Sequence, residues 1–76
     1  MTRNEKLQKL QEIFQNVLDQ PDLRLTETFS TTDCSEWDSV ATVQIILATE
    51  AAFEIRVPIE TVAGLHQVSE LLDLLP

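Results

Sequence analysis

A serine near the middle of the chain is the residue best placed to do chemistry. It belongs to the tetrapeptide Trp37-Asp38-Ser39-Val40, which stands where a polar loop gives way to an apolar helical pattern. Asp and Ser side chains accept hydrogen bonds from the free N–H groups of a helix's first turn, so this pair could be a simple helix cap. The same N–H groups and the positive end of the helix dipole also favour an attached phosphate. Ser39 is therefore either part of a cap or an attachment point.

Catalysis at Ser39 would need a general base within reach, and the only histidine is His66. His66 stands at the start of the last predicted helix, so the fold would have to bring it to the serine. The single cysteine, Cys34, is interpreted as a loop residue in a reducing compartment, although a lone thiol could pair between chains. One Cys and one His cannot form a structural zinc site. We expect no catalytic residue and no metal site.

The chain is short and strongly acidic. Its 76 residues include 13 Asp and Glu against 5 Lys and Arg, a net charge of -8. This field repels phosphate backbones and anionic lipid headgroups, which excludes nucleic acid and favours partners with basic docking patches. So small a domain has few side chains to spare for a walled active site, and no apolar run is long enough to span a bilayer. We expect a cytoplasmic monomer, without membrane insertion, that partner enzymes act upon.

The first half of the chain predicts one amphipathic helix and a long loop. The helix runs from about Asn4 to Asp19, with either Thr2 or Asn4 as its N-cap. Its apolar face is formed by Leu7, Leu10, Ile13, Phe14, Val17 and Leu18. The loop covers residues 20–37 and carries apolar anchors, namely Leu23, Leu25, Phe29 and Trp37. Those anchors indicate that the loop is held against the core.

The second helix is predicted from Ser39 to Ala52. Its main apolar stripe comprises Val40, Val43, Ile46, Leu47 and Phe53. Ile45 lies off that stripe, so the helix is apolar over a wide arc. Either two helices bury it or part of it meets a ligand. We expect Val43 to pack in the core and Val40, beside the serine, to face partners.

The remaining segments complete an all-α fold. Residues 53–57 are interpreted as a connection, since Pro58 closes them and no partner strand exists. A short helix is predicted from Ile59 to Gly64, with Gly64 as a left-handed stop. The last helix includes Val68 and Leu75 and ends at Pro76. The prediction is one domain, residues 1–76, folded as a small four-helix bundle of three main helices and one short helix, with a long loop between the first two and no β-structure.

Four segments of the chain, in this order and spacing, resemble an acyl carrier protein. They are Glu-Trp-Asp-Ser-Val at 36–40, Ala-Thr-Val-Gln-Ile-Ile-Leu-Ala-Thr-Glu at 41–50, Phe-Glu-Ile-Arg-Val-Pro at 53–58 and Val-Ser-Glu-Leu-Leu-Asp-Leu-Leu at 68–75. Asp-Ser is the modification motif of that family, and the first helix and long loop extend the likeness over the whole chain. The resemblance implies that Ser39 receives phosphopantetheine from coenzyme A through a phosphopantetheinyl transferase that needs magnesium. The terminal thiol would then carry an acyl group as a thioester.

The resemblance also implies which residues meet partner enzymes. Asp38 and Glu50 keep the acidic character of the family's recognition helix, and Trp37, Val40 and Ala41 are the other candidates for partner recognition. General fatty-acid carriers usually have acids at the positions of Ala41, Gln44 and Ala51, and leucine at the position of Val40. This departure favours a dedicated set of acyl-loading, acyl-transferring or condensing enzymes, as in polyketide, lipopeptide, specialised lipid or surface-polysaccharide pathways. A peptidyl or aminoacyl carrier, and an unmodified acidic interaction module, remain as alternatives.

Overall fold

The computed structural model describes all residues, 1–76, as four helices without a β-strand. They are α1 (Arg3–Val17), α2 (Ser39–Phe53), α3 (Ile59–Gly64) and α4 (Val68–Leu72). Helix α1 packs against α2 and α4, and α3 packs against α2 alone. The prediction of a small all-α bundle with one long loop between the first two helices is confirmed. Only two of its helices are long rather than the predicted three, because α4 has 5 residues and is as short as α3, which has 6.

The first two helices begin and end for local reasons. Thr2 is the N-cap of α1, because its hydroxyl accepts from the Glu5 N–H at 3.2 Å and its own N–H donates to the Glu5 carboxylate at 2.9 Å. The predicted end of α1 is two residues too late, since Asp19 has a left-handed backbone with φ of 54°. Helix α2 ends one residue later than predicted, and Glu54 after it has the same φ.

The loop between α1 and α2 is anchored by aromatic packing. The Trp37 ring stacks on Phe29 at 5.8 Å between centroids and meets Phe14 of α1 edge-on at 5.0 Å. One isolated antiparallel bridge pairs Ser30 with Gln67, which ties the loop to the chain before α4. The predicted anchoring of this loop is confirmed, and Cys34 lies in it as a buried free thiol.

Of the apolar stripe predicted for helix α2, only Ile46 is fully buried, and the other buried residues lie off that stripe. The buried residues of α2 are Ala41, Thr42, Ile45, Ile46 and Thr49. The expectation that Val43 packs in the core is wrong, because 49% of this residue is exposed. Two threonines can be buried because their hydroxyls donate to backbone carbonyls four residues earlier, Thr42 to Asp38 at 2.9 Å and Thr49 to Ile45 at 2.7 Å.

The second half of the chain differs from the prediction at two ends. Helix α3 has the predicted bounds, but Gly64 is not left-handed, and the chain leaves the helix through Leu65 in an extended conformation. Helix α4 ends at Leu72 rather than near Pro76, since the last residues form tighter turns. The core has 13 buried hydrophobic members, namely Leu10, Phe14, Leu18, Leu25, Cys34, Trp37, Ala41, Ile45, Ile46, Val68, Leu71, Leu72 and Leu75.

Candidate functional site

Ser39 is the first residue of α2, and Asp38 before it is the helix cap. The Asp38 Oδ1 accepts from the Ala41 N–H at 2.8 Å, and the Asp38 carbonyl accepts from the Thr42 N–H at 2.9 Å. Both bonds belong to Asp38, so the capping requirement of this helix is met without the serine side chain. The Ser39 side chain is left exposed beside the positive end of the helix dipole.

A buried hydrogen-bond chain fixes the start of α2 against the loop. The Trp37 indole N–H donates to the Thr42 hydroxyl at 2.9 Å, and that hydroxyl donates to the Asp38 carbonyl at 2.9 Å. Trp37 is 5% exposed and Thr42 is 8% exposed, so water competes little for these bonds. The chain holds the backbone on both sides of Ser39 in one position.

The loop before this site is held by hydrogen bonds to the Glu36 side chain. Its carboxylate accepts from the Cys34 thiol at 3.2 Å and from the Gln20 amide at 3.2 Å. These hydrogen bonds, with that of Cys34 the largest cause, lower the pKa of Glu36. The carboxylate is therefore engaged in holding the turn before Trp37.

An open cavity of about 490 Å³ lies beside Ser39 between α2 and α3. Its lining residues are Thr31, Trp37, Asp38, Ser39, Thr42, Val43, Ile59, Val62, Ala63, Leu65 and His66. His66 shares the cavity with the serine, but its Nδ1 lies 3.0 Å from the Gly64 carbonyl and 3.4 Å from the Glu70 carboxylate. The imidazole is thus not hydrogen-bonded to Ser39, and the pair lacks the geometry of an activated nucleophile.

A second cavity of about 190 Å³ continues from the first along the same two helices. Its lining residues are Val43, Ile46, Leu47, Glu50, Val57, Ile59 and Val62. Val43, Ile59 and Val62 belong to both cavities. A largely apolar groove therefore leads away from the serine.

The residues predicted for partner recognition fall into three groups by their exposure. Asp38 and Val40 are exposed next to Ser39, with 65% of Val40 accessible. Glu50 is half-buried, and its Oε2 accepts from the Val57 N–H at 2.7 Å, so it holds the connection between α2 and α3. Trp37 and Ala41 are buried, which leaves their side chains without direct access to a partner.

Sequence reasoning missed two exposed apolar residues of this surface. Ile59 at the start of α3 is 79% exposed and Leu47 on α2 is 60% exposed. The spacing of three and four residues already places Leu47 on the same helical face as Val40 and Val43, but it does not show that this face is exposed. Ile59 joins Val40, Val43 and Leu47 in an exposed apolar patch of four residues beside Ser39.

The structure has no group of three or more His, Cys, Asp or Glu side chains that could hold a metal ion. None of the four helices has the length and apolar character that crossing a membrane requires.

Comparison with known families identifies the kind of domain. Residues 8–75 match the family model described as a phosphopantetheine attachment site. No curated protein matches the chain. An exposed serine at the start of a capped helix is chemically suited to the phosphodiester link that such a domain carries. Because the match covers residues 8–75 of 76, the chain belongs to the phosphopantetheine attachment family, whose members carry this group covalently as carriers and are not themselves catalytic.

Proposed function

We propose that Ser39 is the attachment point and that the chain carries an acyl intermediate as a thioester on its phosphopantetheine arm. The observation that carries this proposal is that the residue that caps α2 is not the serine. Asp38 supplies the cap, while the Ser39 hydroxyl stays exposed and free for modification. A serine needed only as a cap would be expected to accept a backbone N–H itself.

The attachment reaction fits this arrangement without any catalytic group on the chain. The Ser39 oxygen attacks phosphorus in the pyrophosphate link of coenzyme A, the P–O bond of that link breaks, and the adenosine bisphosphate half leaves. The serine proton passes to a base of the phosphopantetheinyl transferase. The fixed backbone around Ser39 presents the hydroxyl to that enzyme in a single geometry, which lowers the entropic cost of the encounter. Partner enzymes supply the later acyl transfers.

The surface around Ser39 supports a dedicated rather than a general pathway. Residues 39–49 of α2 carry no charge, and acids stand only at the two ends of this stretch, at Asp38 and Glu50. Three residues of the exposed apolar patch, Val40, Val43 and Leu47, lie between them on α2. We infer partners that combine an apolar contact for the patch with basic groups for the acidic ends, as polyketide, lipopeptide, specialised lipid or surface-polysaccharide enzymes would. The buried free thiol of Cys34 fits a reducing compartment, and we place this carrier in the cytoplasm as a monomer.

Labelling with a fluorescent coenzyme A analogue tests the attachment point. Wild-type chain, Ser39→Ala and Ser35→Ala are each incubated with a broad-specificity transferase and magnesium. Ser35 is an exposed serine of the neighbouring loop and is the matched control. We expect wild type and Ser35→Ala to be labelled and Ser39→Ala to be unlabelled although folded. Labelled Ser39→Ala would show that another residue is the attachment point.

A further inference from the structure

His66 is the only side chain in the lining of the cavity beside Ser39 that can become cationic. The chain's five permanent cations all lie outside that lining, and they are Arg3, Lys6, Lys9, Arg24 and Arg56. Asp38 is the only carboxylate in the lining. A phosphodiester on Ser39 would therefore add a second negative charge to a cavity in which this imidazole is the only side chain that can become positively charged.

The hydrogen bonds of His66 leave one ring nitrogen available. Nδ1 lies 3.0 Å from the Gly64 carbonyl, and because a carbonyl oxygen can only accept, Nδ1 carries the proton of the neutral ring. Nε2 has no partner in the protein and in the neutral ring can only accept. Protonation turns Nε2 into a donor, and only then can it bind an anionic oxygen.

The position of His66 is fixed by its backbone. Its carbonyl accepts from the Thr31 N–H at 2.9 Å, and its N–H donates to the Glu70 carboxylate at 3.0 Å. The Glu70 carboxylate of α4 faces the ring, with its Oε1 3.4 Å from Nδ1, and Asp38 at the cap of α2 lines the same cavity. Glu70 lies on the Nδ1 side, so it does not occupy Nε2.

We propose that protonated His66 donates from Nε2 to the phosphodiester on Ser39 and so anchors the base of the arm in a pH-dependent way. This inference rests on the proposed function, since it requires the group on Ser39. A phosphodiester keeps its single negative charge throughout the neutral range, whereas histidine changes charge between about pH 5 and 8. The contact is a charge-assisted hydrogen bond when the ring is protonated and is lost when the ring is neutral. His66 acts as a positioning residue for the arm.

Phosphorus NMR of the modified chain tests this contact. The phosphodiester does not itself titrate between about pH 5 and 8, so any pH dependence of its resonance reports a neighbouring group. We expect a single sigmoidal shift in the modified wild type and a flat line in modified His66→Gln, because His66 is the only histidine. Glu60→Gln removes an exposed carboxylate of α3 outside the cavity lining and should keep the wild-type curve.

Three results would overturn the inference: a flat wild-type resonance, the same curve in His66→Gln, or loss of the curve in Glu60→Gln. The intact mass of each sample is measured first, so that the two proposals fail separately. A chain that takes up no phosphopantetheine contradicts the proposed function, and it also contradicts the His66 contact, which requires that group. A modified chain with a flat resonance contradicts only the His66 contact. Circular dichroism and Trp37 fluorescence check that His66→Gln, a substitution of an exposed side chain, remains folded.

Discussion

At the start of α2, neighbouring residues have different structural roles. Asp38 caps α2, Thr42 joins the cap to the loop through Trp37, and Ser39 keeps its hydroxyl free. Buried polar groups of this kind contribute modestly when paired but cost much more when one partner is lost. The position of the backbone at Ser39 therefore depends on the Thr42 hydroxyl, which accepts from the Trp37 indole N–H and donates to the Asp38 carbonyl.

Thr42→Val tests that dependence at nearly constant volume. The substitution removes the acceptor of the Trp37 indole N–H in a buried place, so we expect the free energy of unfolding to fall by about 1 to 3 kcal/mol. Thr42→Ser keeps the hydroxyl and should retain the hydrogen bond. Urea denaturation followed by circular dichroism measures both variants. In a Trp37→Phe background the donor is absent, so the cost of Thr42→Val should shrink; an equal cost in both backgrounds would contradict the bond's role.

Glu5 makes the stability of the chain depend on pH. The Thr2 backbone N–H, and then the Thr2 hydroxyl as part of the same capping box, lower the pKa of Glu5 from its ordinary 4.5. A carboxyl whose pKa is lower in the folded state contributes stability above its unfolded pKa and loses it as pH falls through the folded value. The decline in stability below about pH 4.5 should therefore be shallower in Glu5→Gln, whose amide can still cap without titrating.

Urea denaturation at pH 7 and at about pH 3.5 measures this difference. Glu12→Gln is the control, since Glu12 is an exposed residue of the same helix outside the capping box. It should show the wild-type decline. If stability fell as steeply with acid in Glu5→Gln as in the wild type, the capping box would not be the cause of the loss of stability at low pH.

At the scale of elements, α1 and α2 end in the same way. A residue with φ of 54° follows each helix, and the next N–H donates to a carbonyl five residues back, Gln20 to Gln15 at 3.0 Å and Ile55 to Glu50 at 3.1 Å. This pattern usually has glycine at the left-handed position, where an L-residue costs roughly 1 to 2 kcal/mol. The chain has Asp19 and Glu54 there instead.

Glu54→Gly should therefore stabilise the protein, by about 0.5 to 1 kcal/mol after the greater freedom of glycine in the unfolded chain is counted. Asp19→Gly should give a smaller gain, because Asp tolerates the left-handed region better than Glu. Glu54→Gln removes the same charge and keeps the strain, so it separates the two causes. Thermal unfolding compares the three variants. A gain in Glu54→Gln as large as in Glu54→Gly would assign the effect to charge.

The sequence predicts which elements exist better than it predicts how α2 is oriented. Caps, Pro residues and apolar spacing locate all four helices, because these signals are local. The buried face of α2 is not local information, since the helix is apolar nearly all round and its neighbours decide which side is covered. Ile45 lies off the predicted stripe and is buried, while Val43 lies on it and is exposed. Ser39 could be found from its motif, but the groove beside it depends on that orientation.

At the scale of the whole molecule, charge and apolar surface are separated. Residues 1–32 hold five acids and four bases, whereas residues 33–76 hold eight acids and one base. Ser39 lies in the acidic half, yet the surface next to it is the uncharged, exposed apolar patch. A partner attracted by long-range charge would therefore meet an apolar contact close to Ser39, the proposed attachment point. This arrangement suits a protein that several enzymes must find and then release.

Modification of Ser39 is measured by the intact mass of the chain before and after incubation with a transferase, coenzyme A and magnesium, followed by fragmentation. We expect one added phosphopantetheine, with every fragment that contains Ser39 heavier and every other fragment unchanged. A folded chain that gains no mass while a control carrier is modified in parallel, or an adduct located on another residue, would contradict it.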